Sequence, residues 1–219
     1  KEGSSLSTAL NGVQYSYNID PLIYVKNGEG KVIHSDATEV MQDILLEHFG
    51  MDLSGMVDMG GASASMSSPF APSFKLWQEL LPGKQGSPVN DLLYKQYDVV
   101  YGSWPDEFDE IVLVLDENNE LDDMALYALG LKSKEEISAL LDAAKDKTEP
   151  PAPDKHWTYE EICAMEFKLV LHSDCYVYDK ESGTYTDLSE TPEGRALLYA
   201  GGTSLRVSGI IRPADDAVA

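Results

Sequence analysis

The sequence predicts an α+β fold, a mixed sheet with helices packed against it. Three observations lead there. Between residues 97 and 131 the pattern passes from a β-type run, Tyr97–Tyr101, through a Gly102-Ser103 turn to a branched-aliphatic run, Ile111–Leu115, and then to helical spacing. Leu205, Val207 and Gly209 alternate with Arg206 and Ser208, the pattern of a further strand running into Ile210-Ile211. Two helices are announced by capping boxes, Ser133 with Glu136 and Thr158 with Glu161. At 219 residues the chain can bury one sizeable core, or two smaller lobes sharing it.

The remaining elements follow in order. Residues 1–12 are polar and small, a stalk or short helix. Tyr15, Tyr17 and Ile19 alternate like a strand cut short by Pro21. Leu22–Val25 and Lys31–Ile33 flank Asn27-Gly28-Glu29-Gly30, a hairpin signal. Asp36 and Glu39 form a capping box for a helix that aligns Val40, Ile44, Leu45 and Phe49 and stops at Gly50. Met51–Pro72 is rich in Gly, Ser and Ala and reads as a surface loop. Its Met56, Met59, Met66 and Phe70 are the residues expected to form an adaptable partner contact, because methionine repacks easily. Phe74–Leu81 has the spacing of a short amphipathic helix ended by Pro82-Gly83, and Asp91–Gln96 of a helical turn.

Within the 97–131 segment, Trp104-Pro105 favours extended backbone. Ile111–Leu115 reads as a strand buried on both faces, Asp116–Asn119 as a polar turn, and Leu121–Leu129 as a helix capped by Gly130. Beyond Ser133–Lys145, three prolines (Pro150, Pro151, Pro153) stiffen a connector. The Thr158 helix, a strand at Phe167–Leu171, a hairpin around Glu181-Ser182-Gly183, and a helix at Arg195–Tyr199 stopped by Gly201-Gly202 precede the last strand.

A formal charge of −22 works against nucleic-acid binding, since phosphate backbones would be repelled. It equally disfavours docking on anionic lipid, which needs clustered basic residues. The acidity serves solubility, with a cationic ligand or partner as the alternative. Two cysteines, Cys163 and Cys175, do not make a disulfide scaffold, and free, buried thiols are the expectation. The opening Lys-Glu-Gly-Ser-Ser has no apolar core of a signal peptide, and no run of about 18 apolar residues would span a bilayer. Taken alone, the sequence reads as soluble.

No catalytic constellation survives inspection. Trp104-Pro105-Asp106 resembles a phosphatase acid loop, but that chemistry needs an arginine at a fixed distance after a nucleophilic cysteine, where this chain has Leu169 and Glu181. Asp116–Asp123 alternates oxygen ligands like a calcium loop, yet Leu121 and Tyr127 occupy the positions that require glycine and a bidentate glutamate. His34, His48, His156 and His172 show no zinc spacing, and the pairs His34/Asp36 and His172/Asp174 read as strand-end surface. Gly61-Ala62-Ser63-Ala64-Ser65 lacks the closing glycine of a nucleophile elbow. No Walker A or dinucleotide fingerprint is present, so no cofactor, metal or catalytic residue is assigned.

Three segments carry a resemblance. Tyr97–Asp116 resembles the string Y-D-V-x-x-G-x-W-P-x-x-x-x-E-I-V-L-V-L-D of extracytoplasmic domains in MacB/FtsX-type ABC transporter permeases. Tyr159–Ile162, Phe167–Leu169 and Asp174–Tyr176 are similar to that family's Y-E-E-I, F-K-L and S-D-x-Y string. Leu205–Pro213 resembles the L-x-V-x-G-I-I-R-P strand that precedes the return to the membrane. The match covers roughly residues 70–213; Ser103 departs from it, standing where many MacB relatives carry arginine after the glycine. The resemblance implies a bacterial, non-enzymatic domain of residues 1–219, with lobes 13–96 and 97–213 and stalk ends 1–12 and 214–219. The ends would lie close together and face the membrane. It also implies its partners: the protein's own transmembrane helices, a cytoplasmic ATP-binding subunit, and an extracytoplasmic protein or peptide. The alternative is a secreted or lipid-anchored binding module of the same fold. The isolated chain is expected to be a monomer with weak or no small-molecule binding. Light scattering should therefore return the mass of one chain, and a value near twice that would contradict it.

Overall fold

The computed structural model of the chain describes residues 21–37, 40, 44, 46–47, 50, 76–149 and 156–215. Strands β1 (Leu22–Lys26) and β2 (Val32–His34) form the first hairpin. Asn27 builds its turn by accepting from the amides of Glu29 and Lys31 at 3.1 and 2.9 Å. Helix α1 (Leu93–Gln96) runs straight into β3 (Tyr97–Gly102), and β4 (Glu110–Val114) follows. Three helices come next, α2 (Asp123–Ala128), α3 (Lys134–Asp146) and α4 (Tyr159–Cys163). The chain continues through β5 (Glu166–Val170), the hairpin strands β6 (Tyr176–Asp179) and β7 (Thr184–Asp187), α5 (Pro192–Gly201) and β8 (Thr203–Pro213). The result is the predicted mixed α+β fold, helices packed against a multi-strand sheet.

The six-stranded sheet is organised by β8, at 11 residues the longest strand described. Its first part pairs antiparallel with β5, from Leu169 opposite Thr203 to Glu166 opposite Arg206. Its last part pairs antiparallel with β3, from Gly102 opposite Gly209 to Tyr97 opposite Pro213. Strand β4 pairs with it in parallel, Glu110 opposite Arg206 to Val114 opposite Ile211. Because β3 and β4 overlap along Gly209–Ile211, they must take opposite edges. Arg206 likewise has Glu166 on one side and Glu110 on the other, so β5 and β3 lie end to end on the edge that β4 leaves free. Beyond β5, β1 and β2 extend the sheet antiparallel. Residues on both sides of position 96 thus share one sheet.

The register of β8 against β4 skips Ser208, which stands opposite no residue of β4. This bulge decides which side chains share a face. Leu205 and Val207 pack with Ile23, Val25, Phe167 and Leu129 on one face. Without the bulge Ile210 would point to the opposite face. Instead it joins Leu115 and Ile162, and both groups share Leu113, Leu121 and Cys163. The other face carries Tyr24 and Val170, covered by Leu198 and Tyr199 of α5. A further layer sets Ile137 of α3 against Ala37, Val40 and Ile44, the last two in a helical stretch.

The capping boxes form as predicted. Ser133 accepts from the Glu136 amide at 3.2 Å while the Glu136 carboxylate accepts from the Ser133 amide at 2.6 Å, and Thr158 and Glu161 repeat the pattern. Gly50 and Gly130 end their helices with positive φ, as expected. Three expectations are corrected. Residues 76–81 form neither helix nor strand, because so short a helix has little stability of its own and Trp77 is claimed elsewhere: its indole donates to the Ser35 carbonyl at 2.8 Å and its ring meets Phe167 edge-on. Strand β4 is not buried on both faces: none of Glu110–Val114 is fully buried and Val114 is half exposed, and β8 is its one strand partner among the described residues. Helix α2 starts at Asp123, not Leu121, because the Asp122 side chain accepts from the Ala125 amide at 2.7 Å and fixes the N-cap there. The strand at 15–19, the proline connector, the Asp36–Glu39 box and the chain ends lie outside the described residues.

Gly102 and Gly209 face each other across β3 and β8. A Cβ on Gly209 would sit 2.3 Å from the Ser103 carbonyl oxygen, and one on Gly102 would sit 2.3 Å from that of Ser208. Gly209→Ala should lower stability by about 1–3 kcal/mol in urea unfolding, the range for overpacking a filled core. Gly201→Ala, where a Cβ meets nothing within 4 Å, should shift the midpoint little.

Candidate functional site

The groups that carry chemistry are engaged in structure. Around Trp104-Pro105-Asp106, the Glu110 carboxylate accepts from the amides of Asp106 and Glu107 at 2.7 and 3.0 Å and pairs with Arg206 at 3.1 Å. Those two amides, more than Arg206, hold the Glu110 carboxyl below its ordinary range. Trp104 lies edge-on against Tyr94, ring centroids 5.0 Å apart. The tripeptide is a closed structural turn. Asp116 is likewise used within its own turn, accepting from the amides of Asn118 and Glu120 at 2.9 and 2.7 Å, which lowers its pKa.

Both cysteines are free. Burial, with nearby acidic charge, pushes both thiols up, so each stays protonated at neutral pH. His34 stacks against Tyr24 at 5.5 Å between centroids, and His172 opens an exposed single turn before Cys175. No group of three or more His, Cys, Asp or Glu able to hold a metal occurs among the described residues. Met56, Met59, Met66 and Phe70, expected to form an adaptable partner contact, lie outside them.

Two shallow depressions stand out among the described residues. One of about 240 Å³ lies between the end of β5 and α5, lined by Val170, Asp174, Leu188, Leu197, Leu198 and the glycines 201 and 202. The other, about 150 Å³, is lined by Lys84, Asn90, Asp91, Leu92 and Lys95. Both are smaller than the ~300–1,000 Å³ typical of sites for metabolite-sized ligands.

The most distinctive surface is the β6–β7 hairpin, a two-stranded sheet separate from the main one. Tyr176 stands opposite Asp187 and Tyr178 opposite Tyr185. Directly opposed residues share a face, and so do positions two apart along a strand. Tyr176, Tyr178, Tyr185 and Asp187 therefore form one face. The three tyrosines remain 52, 50 and 69 % exposed, and the rings of Tyr178 and Tyr185 lie 5.0 Å apart, tilted by 49°. The hairpin turn is held by Asp179, which accepts from the Glu181 amide and the Ser182 hydroxyl, both at 2.8 Å. Its base is tied to the core by Cys175 and Leu188, packed with Tyr24, Val170, Leu198 and Tyr199. The sequence predicts this hairpin, and the Tyr-x-Tyr spacing signals a shared face; the exposure of that face was not anticipated.

No helix among the described residues is long and apolar enough to cross a membrane. Comparison with protein-family models, with curated proteins and with solved structures returns no match.

The pairing of Glu110 sets a pH dependence. Its folded pKa is depressed, so its contribution to stability is full above the unfolded carboxyl pKa and is lost as pH falls through the folded value. Glu110→Gln should lower the urea midpoint at neutral pH and flatten its decline below about pH 5. An identical acid-side slope in the variant would mean that the group titrates normally.

Proposed function

We propose that the chain is the extracytoplasmic domain of a MacB/FtsX-type ABC permease, a non-catalytic lever on the outer face of a bacterial membrane. ATP is bound and hydrolysed on a separate cytoplasmic subunit. The domain moves with the transmembrane helices to which its ends connect, either to drive export or to pass a mechanical signal to an extracytoplasmic partner. The carrying observation is convergence. The segments that resemble the family, at 97–116, 159–176 and 205–213, are far apart in sequence, yet β3, β4 and β5 pair with β8, and Ile162 of α4 packs on Ile210, with only Asp174–Tyr176 leaving the main sheet for the hairpin. Such a block transmits displacement because none of its parts can move without breaking strand pairs.

In this reading segments 13–96 and 97–213 are lobes joined by the common sheet, and residues 1–12 and 214–219 lead to the membrane. Strands β1 and β8 both run antiparallel to β5, hence in the same direction. Leu22 therefore lies near the beginning of β8, and Pro213 about 33 Å away at its far end, taking ~3.3 Å per residue. The exposed tyrosine hairpin favours a second reading, a secreted or lipid-anchored binding module of the same fold. Hydrophobic segments encoded on both sides of the chain distinguish the permease from it.

Topology gives the direct test. In the full-length gene product with Cys163 and Cys175 replaced by alanine, Glu181→Cys places a thiol at the exposed hairpin turn. A membrane-impermeant maleimide added to intact cells should label it. Labelling only after lysis would place the domain in the cytoplasm and end the proposal.

A further inference from the structure

We propose that the tyrosine face of the β6–β7 hairpin is a docking surface for an arginine-rich segment of a protein partner. The inference stands on the hairpin alone and does not depend on the permease reading.

A two-stranded hairpin exposed on both sides has little stability in water by itself. Every residue of β6, and three of the four in β7, is exposed. Tyr176, Tyr178 and Tyr185 lie side by side, half-open and unpaired with any other sheet among the described residues. A row of phenol faces can hold an aliphatic surface, a sugar or a flat cation.

Charge selects among these. Residues 171–195 contain six acidic side chains, Asp174, Asp179, Glu181, Asp187, Glu190 and Glu193, against Lys180, Arg195 and the histidine His172. Asp187 lies on the tyrosine face itself. It accepts from the amide and hydroxyl of Ser189, at 2.8 and 2.6 Å, and from the Tyr176 hydroxyl, contacts that keep it ionised. A second copy of the chain would bring the same acidic crowd against its own, and anionic lipid or nucleic acid would meet the same repulsion. Arginine fits both halves of the surface. Its guanidinium stacks on a phenol ring and donates in its plane to a carboxylate. At about 3.3 Å per residue, every second side chain of an extended peptide would meet a ring or an acid along one face of the hairpin.

The test uses the 219-residue chain and a synthetic alternating arginine–alanine octapeptide, titrated at about 50 mM salt, where surface charge is little screened. Binding should produce amide shift changes concentrated in residues 174–190. The pair Tyr178→Thr and Tyr185→Thr should weaken it about tenfold, the loss of two stacked cations. Phe108→Ala, at an exposed ring in the loop before β4, should leave it unchanged. Equal affinity in the tyrosine pair, or shift changes spread over the whole acidic surface, would overturn the proposal in favour of diffuse attraction. Binding of chitohexaose without binding of the peptide would overturn it in favour of a sugar site. If the paired variant fails to fold, the wild-type shift map decides alone.

Discussion

The structure depends on how closely three strands can approach β8. Gly102 and Gly209 allow β3 to come so near that neither position has room for a Cβ. Beside them Ser208 leaves the register, and its hydroxyl lies within 3.2 and 3.3 Å of the carbonyl oxygens of Ser103 and Ile111, one on each side of β8. A bulge unsupported by such contacts would leave backbone groups without partners inside the sheet. Here the serine turns the irregularity into a joint between β3 and β4. The bulge then returns Ile210 to the face of Val207, so the apolar groups around Phe167 and Ile162 become continuous. Two glycines on facing strands and one serine thus set strand spacing and core continuity together.

Around this spine the charges are handled locally. Glu110, Asp116, Asp179 and Asp187 have depressed pKa values and are held chiefly by amides and hydroxyls within a few residues in sequence, whereas Glu166 is held by Lys168 and the distant Ser204. Basic residues are too scarce to neutralise the rest: 16 lysines and arginines face 38 acidic side chains. Turn and cap geometry takes up several acids one at a time through backbone amides and hydroxyls, contacts that surface solvent weakens less than exposed ion pairs. The remainder stays on the outside, giving the surface one sign of charge and narrowing what can approach it. The tyrosine hairpin is the place where that field and an apolar face coincide.

Much of the fold was legible because it is written in short-range physics. The boxes at Ser133/Glu136 and Thr158/Glu161, the Asn27–Gly30 hairpin and the Gly130 stop each require a few neighbouring residues to be of the right kind, and the structure has all of them. The errors arose where a distant partner decided the outcome. Trp77 abandons helical spacing because Ser35 and Phe167 hold its indole. Ile111–Leu115 looks doubly buried by composition, but burial of a strand depends on what distant segments pack over its two faces, and Val114 stays half exposed. The candidate interaction surface followed the same division: a Tyr-x-Tyr strand could be read from sequence, whereas its position outside the main sheet could not.

The sequence by itself determined that this is an acidic α+β protein with capped helices, tight glycine turns and a terminal strand at 205–211, because propensity, alternation and net charge are properties of local composition. Only the tertiary structure decided that β8 would serve three strands at once, that Ser208 would be skipped, and that three tyrosines would stay in water. Those outcomes depend on which segments meet across tens to more than a hundred residues of chain, and no local pattern encodes that meeting.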